Sequence, residues 1–221
     1  ACWQTGDLAA ARDHGRACLE LQDRQFGLDH PPPAVPVPRF DPQARERNII
    51  AISLYGADPK YTDGAIRNVR AALHLFPEWT CRIYHDHSVP QPVIAQLARE
   101  GAQLMTVHNM PAARFGTFWR FLVAEDQAID RFLVRDCDAC LSLRERVLVD
   151  EWLASERHFH VIRDGFTHTD IVLAGMWGAV RGALPAMIPA IRDFCRTAPF
   201  SRTADQAFLR EWGWQRIRTS V

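Results

Sequence analysis

Between residues 48 and 135, short apolar runs alternate with segments whose apolar residues recur at helical spacing, and this alternation restricts the fold more than any other feature of the chain. NIIAISL (48–54), TCRIY (80–84), QLMTV (103–107) and RFLVR (131–135) read as strands bounded by turn signals. Residues 62–75 carry a helical stripe of Ile66, Val69, Ala72 and Leu73 ahead of Pro77. Residues 93–99 form a second helix stopped by Gly101, and 117–126 a third. Strands joined through helices by short connections predict an α/β fold with a mostly parallel, doubly wound sheet. Parallel neighbours need crossovers, and the crossover helices cover both faces.

Past Arg135 the pattern loosens. Residues 143–153 read as a helix, 158–162 as a strand, and 171–180 (IVLAGMWGAV) as an apolar segment interrupted by Gly175 and Gly178. Residues 185–195 and 204–212 read as helices, the second with Thr203 as N-cap and Asp205 in its first turn. Ahead of the alternation, PPPAVPVP cannot continue a helix and favours an extended polyproline conformation, so residues 31–39 read as a linker. Residues 1–30 read as a helical segment, with Gly6-Asp7 as its turn or N-cap. Trp3, Gly6, Asp7, Ala11, Ala17 and Leu19 resemble the middle and end of a tetratricopeptide repeat; a lone helix packed on the main domain fits these residues equally. One repeat cannot bury its own apolar face, so the first reading implies repeats upstream and a protein partner for this segment. The main domain is then expected over residues 40–221.

Charge excludes some functions. Lys plus Arg equals Asp plus Glu at 26 each, so no global field draws in nucleic acid or an anionic membrane, and any phosphate must be held locally. No apolar run of about 18 residues and no basic-then-apolar start is present, which makes a membrane span unexpected and a cytoplasmic location the expectation. The six cysteines are scattered in apolar contexts that suit reduced thiols. Cys137 and Cys140 form C-x-x-C, the one cysteine spacing with a zinc or redox reading, but a second pair or a His at ligand spacing is missing and buried reduced thiols are the expectation.

In open parallel sheets, ligands bind outside the carboxyl ends of the strands. Asp136 and Asp138 leave the strand at 131–135 and are the acidic pair at such an end. Two carboxylates one residue apart can offer oxygens to a hard divalent ion that bridges a diphosphate. Taken alone, D-x-D also describes a solvated loop tip.

FWRFLVAEDQAIDRFLVRDCDACLSLRE (118–145) resembles the nucleotide-sugar-binding half of the GT-A class of glycosyltransferases, where an Arg on a helix precedes a strand ending in D-x-D. The longer run from RDCDACLSLRE through HFHVIRDGFTH to IVLAGMWG looks like a bacterial family of polysaccharide or protein glycosyltransferases. In that family RDxDS…RE…W…FHxxRD…H…GGMWG recurs, sometimes behind tetratricopeptide repeats. The likeness covers about residues 48–215 and is densest over 117–182.

This resemblance implies a GT-A, Rossmann-like domain. Its implied activity is metal-dependent, moving a sugar from a nucleoside diphosphate sugar to a hydroxyl of a glycan or protein acceptor. It gives Asp136 and Asp138 to Mn2+ or Mg2+ and the diphosphate, with Asp138 the more direct ligand. Arg120 and Arg135 fall by phosphate or sugar, Tyr55 beside the base, and Gly175 on the segment lining the donor sugar, where a buried packing glycine is the other reading. Asp205-Gln206 resembles the D-Q pair of glycogenin-like transferases. That makes Asp205 a general base or sugar ligand and Gln206 a donor contact, against ordinary first-turn stabilisation of a helix. Arg163, Asp164 and His168 match the RD…H element and would contact acceptor or donor, or form a salt-bridged loop. His85 and His87 stand where this fold has a turn near the nucleotide, and the tryptophans at 152, 177, 212 and 214 read as core.

Two departures stand out. The third metal ligand of the class, a His or H-D pair downstream of the D-Q helix, would fall past Val221, so the domain is expected to be cut short there or the metal to be held differently. Ala139 replaces the usual Ser. One rival is a nucleotidyltransferase of sugar-nucleotide synthesis, but SLYGADPKYTDG lacks that class's Gly-rich basic loop. The other is a non-catalytic interaction protein carrying a degenerate transferase domain.

Overall fold

The apolar runs pair into one six-stranded sheet. Its strands are β1 (Asn48–Leu54), β2 (Thr80–His85), β3 (Gln103–Thr106), β4 (Arg131–Arg135), β5 (Phe159–Val161) and β6 (Met176–Val180), in the order β3-β2-β1-β4-β6-β5. The computed structural model describes residues 2–28, 30–163, 165, 168–199 and 201–221, with the side chains of Cys2 and Trp3 outside that set. Asp164 therefore lies outside the described residues.

Strands β1 to β4 run parallel to one another, as the strand–helix alternation predicts, and β6 runs antiparallel to both β4 and β5. The reason lies in the β5–β6 connection. Val161 pairs with Trp177, and Met176 pairs with Arg135 at the end of β4, so the chain turns back at the carboxyl end of β4 and β6 enters the sheet from there. Of the apolar segment at 171–180, only the second half is strand. Gly178 lets β6 lie close to β4, since a Cβ there would stand 2.5 Å from the Phe132 carbonyl oxygen.

The helices are α1 (Leu8–Phe26), α2 (Pro59–Leu75), α3 (Gln91–Arg99), α4 (Ala112–Phe115), α5 (Leu143–Ala154), α6 (Met187–Thr197), α7 (Ala204–Phe208) and α8 (Trp214–Ile217). Local chemistry starts several of them. Asp7 caps α1, Asp58 caps α2 with Pro59 at its first position, and Ser142 and Glu145 form a reciprocal capping box on α5.

Two expected α-helices differ. Residues Gly116–Glu125 wind as a 3-10 helix, in which Phe118, Trp119, Arg120 and Phe121 are all buried. Four consecutive buried side chains cannot share one face of an α-helix, and tertiary contacts take over: the Trp119 indole donates to Met110 O at 2.8 Å, and the Arg120 N–H to Ser53 Oγ at 2.9 Å. The helix expected over 204–212 is α7 followed by a π-helical turn, Leu209–Gly213, that leads into α8.

Side chains alternate across the sheet. On one face, Arg135 pairs with Glu145 of α5 at 2.9 Å, and Arg146 of α5 reaches the Leu75 carbonyl at the end of α2. On the other, Phe121 and Phe132 meet the Trp177 ring edge-on, and Phe118 meets Phe208 of α7. Helical layers thus cover both sides of a core centred on β1 and β4.

The N-terminal segments are tied to this body. Asp23 of α1 accepts from the Trp214 indole at 2.7 Å and from Arg218 at 3.0 Å, and Gln22 accepts the Ile171 N–H at 3.1 Å. Val35 and Val37 of the proline-rich stretch pack on the core, and the Val35 carbonyl is 2.7 Å from His158 Nε2. Among the described residues, no helix is long and apolar enough to cross a membrane.

Candidate functional site

A cavity of about 610 Å³ opens where the chain leaves β1 and β4, the point at which the strand order reverses. Ser53, Tyr55 and Gly56 come from the β1 exit, and Asp136, Cys137 and Asp138 from the β4 exit. The start of α2, the 3-10 helix, α4 and residues 201–202 supply the remaining walls.

Arg120 is the hub behind this floor. Its side chain is 6% exposed. Its guanidinium donates to Asp136 Oδ1, to the Arg135 carbonyl at 3.3 Å and to Asp205 Oδ2 at 2.8 Å. Burial works against the charge, but the facing carboxylates of Asp136 and Asp205 outweigh it and raise the guanidinium pKa above its ordinary value. Burial pushes Asp205 upward as well, only partly offset by Arg120.

The D-x-D loop is held from three sides. Asn68 of α2, fully buried, donates to the carbonyls of Cys137 (3.1 Å) and Ala139 (2.8 Å) and accepts the Leu141 N–H at 2.9 Å. Gly64, one turn earlier, lies against the Cys137 carbonyl, where a Cβ would collide with backbone. Gly175, just ahead of β6, lies against the Asp136 carboxylate so closely that a Cβ would overlap it. The structure thus shows the packing reading of Gly175, with the Asp136 carboxylate as its partner. Between the aspartates, burial and both carboxylates push the Cys137 thiol up to about 12, so it stays protonated.

Lys60 Nζ is 2.7 Å from Asp138 and lies over the Tyr61 ring. Tyr55 meets Trp119 edge-on at 5.6 Å, and its ring lies against Gly116, where a Cβ would come within 2.5 Å. This ring forms an aromatic wall at the β1 exit. Burial, reinforced by the Asp205 charge, holds the Tyr55 hydroxyl protonated.

Of the residues expected from sequence, Asp136, Asp138, Arg120 and Tyr55 line the cavity, with Gly175 against Asp136 and Asp205 one contact behind, on Arg120. The others stand elsewhere. Arg135 is buried under α5, donating to Glu145 and to the carbonyls of Val134 and Trp177, because inward-facing positions of β4 alternate and residue 135 falls on the face opposite Ser53. Gln206 bonds to Asp170 and accepts the Ala174 N–H at 3.4 Å, bracing the segment before β6. Arg163 donates to the Ile171 carbonyl at 2.9 Å and stacks on Trp214 at 5.3 Å. The His168 N–H donates to Gly165 O at 3.0 Å.

Sequence reasoning missed Asn68, Lys60, Arg114 and Arg202. Asp58-Pro59 is a helix-start signal that places Lys60 beside the β1 exit. Arg114 and Arg202 carry no such signal, since only long-range packing brings them to the cavity.

Among the described residues, no group of three or more His, Cys, Asp or Glu side chains is gathered to hold a metal ion. The donor set fits a divalent ion that completes its shell with substrate phosphate and water, for which one or two carboxylates suffice. Asp138 is partnered by a solvent-exposed lysine. Asp136 already accepts from Arg120.

No protein-family model matches the chain, and no curated protein matches it. Solved structures do. A mannosyltransferase from Pyrobaculum calidifontis, in complex with GDP-Man and Mn2+, is 14% identical with a TM-score of 0.47, the match covering 80% of this chain and 55% of that one. A mannosyltransferase from S. cerevisiae, in complex with GDP, is 10% identical with a TM-score of 0.36, covering 95% and 73%. The chain thus spans about half the length of the first of these. Likenesses at this level say nothing of chemistry, so function has to come from the cavity.

Proposed function

We propose that this chain binds a nucleoside diphosphate sugar in the cavity and transfers the sugar to a hydroxyl of a glycan or protein acceptor, with Mn2+ or Mg2+ held by Asp138 and Asp136. The observation that supports this most is the D-x-D pair at the exit of β4. Both aspartates line a cavity of about 610 Å³ at the strand-order reversal, over a buried arginine that holds one of them in place.

The base rests against the aromatic wall at Tyr55 and the diphosphate lies toward Asp136 and Asp138. A bound divalent ion supplies charge neutralisation for the leaving diphosphate. Arg120 orients the Asp136 carboxylate through its guanidinium bond. Asp205 acts through Arg120: as a general base it would have to reach the cavity, and its side chain is 6% exposed and bonded to that guanidinium. Asn68 fixes the loop carbonyls, so that the two carboxylates are presented without reorganisation cost.

Calorimetry against UDP-, GDP- and dTDP-sugars, with and without Mn2+, tests the reading. One donor is expected to bind the chain more tightly with metal, and Asp138→Asn to abolish the metal-dependent increment. If no sugar nucleotide binds, or if metal strengthens binding equally in Asp138→Asn, the proposal fails.

A further inference from the structure

We infer that Arg114 and Arg202 form an anion-binding wall of the cavity that contacts the diphosphate of the nucleotide directly, beside the divalent ion and also in its absence; this rests on the nucleotide-sugar reading above. Among the described residues, four basic side chains stand in or at the cavity, and two are already committed. Arg120 is bonded to Asp136 and Asp205, and Lys60 to Asp138. Arg114 on α4 and Arg202 just ahead of α7 both line the cavity, both are exposed, and neither side chain has an ion-pair or hydrogen-bond partner among the described residues.

Their placement suits a phosphate chain. Arg114 is two residues from Gly116, whose backbone lies against the Tyr55 ring, so its guanidinium starts from the wall assigned to the base. It also shares a narrow crevice with Ala198, Pro199 and Ala204, which puts the segment bearing Arg202 beside α4. Two elements far apart in sequence thus bring two arginines to one cavity.

The charge balance points the same way. The carboxylates of Asp58, Asp136 and Asp138 line the cavity, and a diphosphate entering it meets their repulsion. Two uncommitted guanidiniums are the protein's own counter-charge, and their planar forks match phosphate oxygens bidentately. Among the described residues, neither side chain is engaged in an ion pair.

The test is calorimetry in EDTA with GDP, UDP, inorganic pyrophosphate and the nucleosides guanosine and uridine, on the full chain and its Arg114→Gln, Arg202→Gln and doubly substituted forms. GDP or UDP, and pyrophosphate, are expected to bind without metal. Each substitution is expected to weaken that binding about tenfold, the factor for one charge-assisted contact, and added salt to weaken it further. Nucleoside binding and the melting temperature are expected to be the same in all forms, since both side chains are exposed. Undiminished nucleotide and pyrophosphate binding by the doubly substituted form overturns the inference, as does a wild-type chain that binds no phosphate compound in EDTA. Pyrophosphate binding that depends on both arginines, with no added affinity for GDP or UDP, keeps the anion wall and removes the nucleotide reading.

Discussion

Arg120 Nη2 and Asp205 Oδ2 meet at 2.8 Å with both side chains 6% exposed, joining the 3-10 helix before β4 to the first turn of α7. Asp205→Ala leaves Arg120 with Asp136 as its remaining carboxylate and one buried guanidinium N–H without its partner. A loss of about 1–3 kcal/mol is therefore expected in urea unfolding, the cost of one unsatisfied buried polar group. A double-mutant cycle with Arg120→Ala is expected to give a coupling of about 1 kcal/mol or more. Additive losses would mean that the contact contributes nothing of its own.

Gly175→Ala tests the contact between the β5–β6 connection and the site. The new methyl group overlaps the Asp136 carboxylate, which must swing away from Arg120. At least tenfold weaker binding of the sugar nucleotide in Mn2+ is expected, with secondary structure by circular dichroism unchanged. Wild-type affinity in this variant would show that Asp136 plays no part in binding.

Asn68 is expected to matter as much as the carboxylates it supports. Asn68→Asp puts a carboxylate against the Cys137 and Ala139 carbonyl oxygens, acceptor facing acceptor, inside a fully buried site. A buried unpaired polar group costs about 1–3 kcal/mol, and a charged one more. The loss should appear as a lower urea midpoint, together with disappearance of the metal-dependent increment in donor binding. If the increment survives in this variant, the staple does not position the loop.

His160 sets a pH dependence of stability. Burial, aided by the Arg135 charge, holds its imidazole down at about 3, whereas an unfolded histidine titrates near ~6.5. The unfolded chain therefore takes up a proton that the folded chain refuses, and stability falls as pH drops from about 6.5 toward 3. The urea midpoint is expected to fall between pH 7 and pH 5, above the range where carboxylates protonate. His160→Phe, which keeps an aromatic ring against Trp152, is expected to flatten that slope. An equal slope in both forms would assign it to other groups.

Periodicity and turn signals are local, so the chain alone determined the succession of strands from 48 to 135 and the helices α2 and α3 between them, the parallel body of the sheet, and the position of Asp136 and Asp138 just past a strand end. Strand alternation in principle assigns faces too. Yet which face of β4 meets the site depends on its register with β1, and that register is what places Arg135 beneath α5 rather than in the cavity.

Tertiary structure decided the rest. It reversed β6, because the β5–β6 connection returns at the carboxyl end of β4. It turned an expected α-helix into a 3-10 helix, because four neighbouring side chains are buried together. And it brought Asn68, Arg114, Arg120, Gly175, Arg202 and Asp205 around one acidic pair. Residues separated by tens of positions meet only when the sheet closes, and the energy of their meeting depends on burial and on paired charge that neither spacing nor composition records.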